Sequence, residues 1–244
     1  MGILRPFVAW DLEVARLPRN INDWRADRPL GVTCAATYRH NESETEVLTF
    51  PADHLSAQKE WDISAADYFY NYLMSCAERG YLVVAFNSTS FDWQVLQDAV
   101  SDKHKDELAK FALNHSVDIP LPMVFEKGYA PGLNAYAEAL RVGGKEQKGV
   151  SGKDAPRLWA EGKYQEVLSY VKQDAVATGE VWMALVATGY LPCWLTKKGY
   201  RSKRGYRYEW SEDRILTPIE CKDLPEPEVW GSFKPWPREK YLEW

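Results

Sequence analysis

Residues 7–13 read Phe7-Val8-Ala9-Trp10-Asp11-Leu12-Glu13, and the rest of the chain is arranged about them. An apolar run ends in two carboxylates separated by one residue. Side chains two apart on a strand share a face, so Asp11 and Glu13 stand together while Leu12 points the other way. Adjacent carboxylates repel, and a divalent cation relieves that repulsion. An ordinary solvated strand edge would carry the same pair, so partners elsewhere in the chain must decide between the two.

Further along, Tyr81 to Phe86 is a near-continuous apolar run, read as a strand covered on both faces. It enters Asn87-Ser88-Thr89-Ser90-Phe91-Asp92, a small polar turn followed by a helix start. Ligands sit beyond the carboxyl ends of such strands. The hydroxyls of Ser88 or Ser90 are expected to cap that helix, with Asp92 in its first turn. Tyr164 to Ala187 reads as the longest helix. Val167, Tyr170, Val171, Asp174, Thr178 and Val181 share one of its faces, and Tyr170 lies one turn from Asp174. A carboxylate in a core-facing stripe requires a cation or a tight donor. Taken with Asp11, Glu13 and Asp92, a common metal site explains these acids better than four unrelated accidents.

The remaining elements follow from periodicity and turn chemistry. Strands are expected over Gly31 to His40 and Glu46 to Phe50, which with the first strand make an antiparallel meander. A helix capped by Ser64, with Asp67 completing a capping box, should run to Gly80. Further helices are expected over Asp102 to Ala112 and Leu133 to Leu140. Ser116 to Ile119 is short and returns towards the sheet. Asp118 could approach the site, but it reads as a turn-former before it reads as a ligand, because Pro120 and Pro122 follow at once. Asp154 is expected to cap a turn beginning at Ala155 and Pro156.

The chain has 244 residues and a 45% apolar fraction, enough for a substantial core. Its formal charge of −5 argues against a broad basic coat but not against local grip on one nucleic-acid end. Cys34, Cys76, Cys193 and Cys221 have no zinc-ligand spacing. No run is long and apolar enough to span a bilayer, so a reducing, cytoplasmic setting is expected. After Gly189 comes a basic segment with Lys197, Lys198, Arg201, Lys203, Arg204 and Arg207, interleaved with Tyr200, Tyr206, Tyr208 and Trp210. It reads as a hairpin turning near Lys203 to Gly205, able to hold a phosphate backbone while its rings stack on bases. Lys145 and Lys148, in a glycine-rich loop, are further candidate phosphate contacts. The proline-rich end is expected to be pinned by Trp230, Phe233, Trp236 and Trp244.

On Asp11-Leu12-Glu13, Asn87 with Phe91-Asp92, and Tyr170-x-x-x-Asp174, the chain resembles the DEDD superfamily of 3'-5' exonucleases in its tyrosine form. The nearest likeness is to predicted exonucleases related to the proofreading domain of family B DNA polymerases. The resemblance covers Phe7 to about Val186. It implies an α/β, ribonuclease H-like domain over 1–189, a mixed central sheet flanked by helices, with a C-terminal appendage over 190–244 packed on it. It implies that Asp11, Glu13, Asp92 and Asp174 hold two Mg or Mn ions, with Tyr170 orienting water or the scissile phosphate. It sets Phe91 and the backbone at Leu12 near the terminal nucleotide, with Val14 and Asn87 among the substrate contacts. Val14 stands where the family often has threonine, and Ser88-Thr89-Ser90 where its turn often includes glycine. The implied activity is two-metal-ion release of nucleoside 5'-monophosphates from single strands with a free 3' end. DNA is favoured over RNA, with replication or repair proteins as partners. The competing readings are a noncatalytic nucleic-acid binding protein that retains the fold, and a metal-dependent endonuclease.

Overall fold

The computed structural model describes residues 5–52, 60–143, 151–193, 206–209, 215–227 and 234–244. Five strands form a mixed sheet. They are β1 (Phe7–Val14), β2 (Val32–His40), β3 (Thr45–Phe50), β4 (Leu82–Ala85) and β5 (Ser116–Asp118), in the order β3-β2-β1-β4-β5. β1 runs antiparallel to β2, and β2 to β3, giving the expected meander. β4 and β5 continue the sheet in parallel with β1. Helices cover both faces, so this is the α/β, ribonuclease H-like arrangement expected.

Alternation along β1 divides its side chains between two cores. Val8, Trp10, Leu12 and Val14 join a core with Phe69 and Leu73 of helix α1 (Ile63–Glu78) and Trp93, Val95 and Leu96 of α2 (Asp92–Ala99). Phe7 and Ala9 face the other side, towards Val181, Trp182 and Leu185 of α7 (Tyr164–Thr188). Beyond Ala9 that second face turns acidic, with Asp11 and then Glu13. Trp10 fixes α2 on β1, its ring meeting Trp93 edge-on at 4.5 Å.

The other helices are α3 (Asp102–Asn114), α4 (Leu121–Lys127), α5 (Leu133–Leu140) and α6 (Ala155–Ala160). α4 departs from the sequence reading, which took Pro120 and Pro122 as ending regular structure. Proline at a helix start loses no hydrogen bond, and here Pro120 is the N-cap residue. α1 departs too. Its cap is Asp62, which accepts the Ala65 N–H at 2.8 Å, not Ser64. Asp67 instead accepts from the Ser101 backbone N–H and hydroxyl, at 2.9 and 2.8 Å. Asp154 is the N-cap residue of α6, as expected, but its side chain makes no cap hydrogen bond to the helix; the carboxylate accepts the Ser151 hydroxyl at 2.7 Å.

Two further strands, β6 (Tyr190–Cys193) and β7 (Tyr206–Glu209), pair antiparallel with Cys193 opposite Tyr206. The expected turn at Lys203 to Gly205 lies outside the described residues. At the C-terminal end, Cys221 and Tyr241 are buried with Leu121, Val124 and Phe125 of α4. The Trp236 N–H bonds to the Gly128 carbonyl at 2.8 Å. Trp236 and Trp244 are partly buried against the cores, as the aromatic anchoring required. Trp230 and Phe233 lie outside the described residues. No helix among the described residues is long and apolar enough to cross a membrane. Cys34, Cys76 and Cys221 are buried free thiols.

Candidate active site

β4 stops at Ala85, paired with β1 only as far as Ala9. β1 runs on to Val14, so its last residues have a strand neighbour on the β2 side alone. The chain leaving β4 fills the opening. Its turn, Asn87 to Ser90, delivers Asp92 to the edge of β1, where the carboxylate accepts the Leu12 N–H. The Leu12 side chain points into the core, as does that of Val14. Leu12 therefore presents backbone to the site, whereas the Val14 side chain lies on the face away from Asp11 and Glu13.

On the facing helix, Tyr170 and Asp174 sit one turn apart over the acidic end of β1. The Tyr170 hydroxyl donates to Asp174, and the charges of Glu13 and Asp11 both act on it. Burial first, and then these charges and the hydrogen bond, push the phenol well above its ordinary value of 10.0. Asp92 is pushed up to about 8, first by burial and then by the charges of Asp118 and Asp174. The Leu12 N–H and its own backbone amide oppose that rise. Glu13, Asp92, Asp174 and Tyr170 are each at most 9% exposed, while Asp11 is half-buried. The five expected residues thus form one electrostatically connected group.

Hard oxygen donors of this kind suit Mg or Mn. Four buried polar groups beside the half-buried Asp11, with Asp92 raised by burial and by its like-charged neighbours, fit a cation in donor chemistry. Among the described residues, no three His, Cys, Asp or Glu side chains close on a single point. The acids are neighbours, not a finished cage.

Ser88 and Ser90 do not cap α2 with their hydroxyls. Phe91 is the cap residue. The Ser88 carbonyl takes the Phe91 and Trp93 N–H groups, each at 3.1 Å. The Ser90 hydroxyl turns back to the Asn87 side-chain oxygen at 3.0 Å. Asn87 has φ 62°, a left-handed backbone that asparagine tolerates better than most residues. Phe91 packs edge-on against Trp24, centroids 4.9 Å apart. Trp24 belongs to the 3-10 segment Ile21–Asp27.

Asp118 is the residue that reading undervalued. It is 1% exposed and accepts the N–H groups of Asn87 and Thr89 at 2.6 and 2.9 Å. It does form a turn, but the turn before Asp92, not its own. The available signal was an acid ending a short strand beside the β4 exit.

Lys145, Lys148, Lys197, Lys198, Arg201 and Arg204 lie outside the described residues. Among the described residues, Gly152 lies beside Tyr170: a Cβ on it would stand 3.7 Å from the phenol oxygen.

A family model of the RNase H superfamily matches residues 27–186. The matched span includes Asp92, Asp118, Tyr170 and Asp174 and begins after β1, so Asp11 and Glu13 lie before it. No curated protein matches the chain. On that match, which covers more than half of the sequence, and on the sheet that carries it, the chain belongs to the RNase H superfamily.

Proposed function

We propose that this protein is a divalent-metal-dependent 3'-5' exonuclease of the DEDD type, tyrosine form. It would act on single-stranded nucleic acid, DNA in preference to RNA, and release nucleoside 5'-monophosphates. The observation that carries the reading is the meeting of Asp11 and Glu13 on β1 with Asp92 on α2 and Tyr170 and Asp174 on α7. Asp11, Glu13, Asp92 and Asp174 are the groups that would hold two Mg or Mn ions. When bound, such ions supply charge stabilisation at the scissile phosphate and a more acidic water.

The chain's own groups do the rest. Tyr170 keeps its proton, because burial and three neighbouring acids oppose the phenolate. It therefore acts as a hydrogen-bond donor that orients water or a phosphate oxygen, and not as a base. Asp174 fixes the direction of that hydroxyl. Phe91, half-buried at the head of α2, would pack on the terminal nucleotide, with Asn87 and the Leu12 backbone beside it. Lys145 and Lys148 are assigned as phosphate contacts. The segment Lys197 to Arg207 of the appendage, with Lys198, Arg201 and Arg204, is assigned to strand retention. Proteins of DNA replication or repair are the proposed partners.

The direct test is mononucleotide release from labelled single strands with Mg or Mn. Asp11→Ala and Asp174→Ala should each abolish it. Wild-type rates in both variants would refute the assignment.

A further inference from the structure

We infer that Asp118 is a positioning residue for Asp92, and that the C-terminal segment completes the site by sealing Asp118 from water. The inference rests on the metal-dependent reading above. Asp118 ends β5, the edge strand next to β4. From there its two oxygens reach across the β4 exit, one to the Asn87 N–H at 2.6 Å and the other to the Thr89 N–H at 2.9 Å. These bonds span the left-handed residue at which the chain reverses. The fixed turn sets the Ser88 carbonyl, which accepts from Phe91 and Trp93. The first turn of α2, which bears Asp92, is thereby held in place. A charged acceptor makes short, strong bonds to backbone N–H groups. No neutral side chain of the same size offers two equivalent acceptors.

That carboxylate is fully buried, which is costly unless it is well bonded. The chain's far end packs on the elements that flank it. Cys221 and Tyr241 both feel the Asp118 charge and are buried against α4, which begins three residues after it. The Ile219 N–H bonds to the Leu113 carbonyl at 3.0 Å, and Arg238 donates to the Phe125 carbonyl. This end of the chain is thus joined to the elements on either side of β5. Water admitted there would compete for both Asp118 oxygens and loosen the turn.

Two measurements test this. The first uses the wild type. The Asn87 and Thr89 amides have no strand partner, yet should exchange with solvent as slowly as β1 amides, because Asp118 holds them. Rapid exchange at both would overturn the inference without any variant. The second follows Mn2+ binding by electron paramagnetic resonance in the wild type, Asp118→Asn and Val117→Ala. The last is a core change that disturbs β5 without touching the turn. Partners that orient metal ligands typically contribute about 10–100-fold to affinity. Asp118→Asn should therefore weaken Mn2+ binding by roughly that factor, and Val117→Ala should not, whatever each does to the melting temperature. Equal Mn2+ affinity in the wild type and Asp118→Asn would overturn the positioning role even if turnover fell. A wild type that neither binds Mn2+ nor cleaves nucleic acid would instead remove the metal-dependent reading, and this inference with it.

Discussion

Asp92 is a carboxyl group that the fold makes costly to ionise. Its proton is held up to about 8 against an ordinary 3.8, and that of Asp118 up to about 6. In the metal-free protein the folded state therefore binds more protons than the unfolded chain across this range, and stability falls as pH rises. The contribution of Asp92 is fully present below 3.8 and is lost as pH climbs through about 8. The melting temperature of the metal-free protein should accordingly decline from about pH 4 to about pH 8. Asp92→Asn should flatten the decline and raise the melting point at the alkaline end by a few degrees, since about 1 kcal/mol moves it by roughly 2–4 °C at this size. Mn2+ should stabilise the wild type increasingly as pH rises, because ligands must be deprotonated to bind, and should do little for the variant. A flat wild-type profile would contradict the burial argument. Tyr170→Phe separates donor from ligand. With one donor to the reacting phosphate gone, turnover should fall by about 10²–10³, while the Mn2+-induced rise in melting temperature stays as in the wild type. A lost Mn2+ response would make Tyr170 part of the cation site instead.

At the scale of elements, what the sequence revealed depended on whether the signal was local. Asp11 and Glu13 were legible because two-residue alternation fixes their common face without knowledge of any partner. Tyr170 and Asp174 were legible because helical spacing does the same. Asp118 was not, because its role lies in bonds to residues some thirty positions earlier, and the prolines after it pointed to a turn. α4 was missed for the same prolines, which its first turn accommodates. The cap of α1 was misplaced by two residues, since aspartate and serine both cap well and only the backbone at Asp62 decides. That correction is testable. Asp62→Ala should cost about 1 kcal/mol in urea unfolding and Ser64→Ala almost nothing; the reverse ranking would restore the Ser64 cap. Packing across α7 gives a second check. A Cβ at Gly179 would run into the Tyr38 ring on β2. Gly179→Ala should thus destabilise by about 1–3 kcal/mol, although alanine in a helix interior ordinarily gains about 1 kcal/mol. A rise in the urea midpoint would show that α7 does not approach β2 so closely.

Seen whole, the molecule brings three separate parts of the chain to one edge of β1. The first strand supplies two acids, the exit of β4 a third, and α7 a fourth with its tyrosine. The terminal segment is tied in twice. Arg25 donates to the Gln94 side chain of α2 at 2.8 Å and also to the Lys240 carbonyl, and Tyr241 is buried against α4. A site assembled at an open strand edge suits a polymer end, which must enter as a single strand to reach the buried acids. The central claim is that hydrolysis begins at the 3' end. It is tested most directly with two 5'-labelled single strands, identical but for a free or a blocked 3' hydroxyl, incubated with Mg or Mn. Shortening one nucleotide at a time from the free strand, with 5'-monophosphates released and the blocked strand intact, is the predicted result. Cleavage of the blocked strand at internal positions, at the rate of the free one, would contradict it.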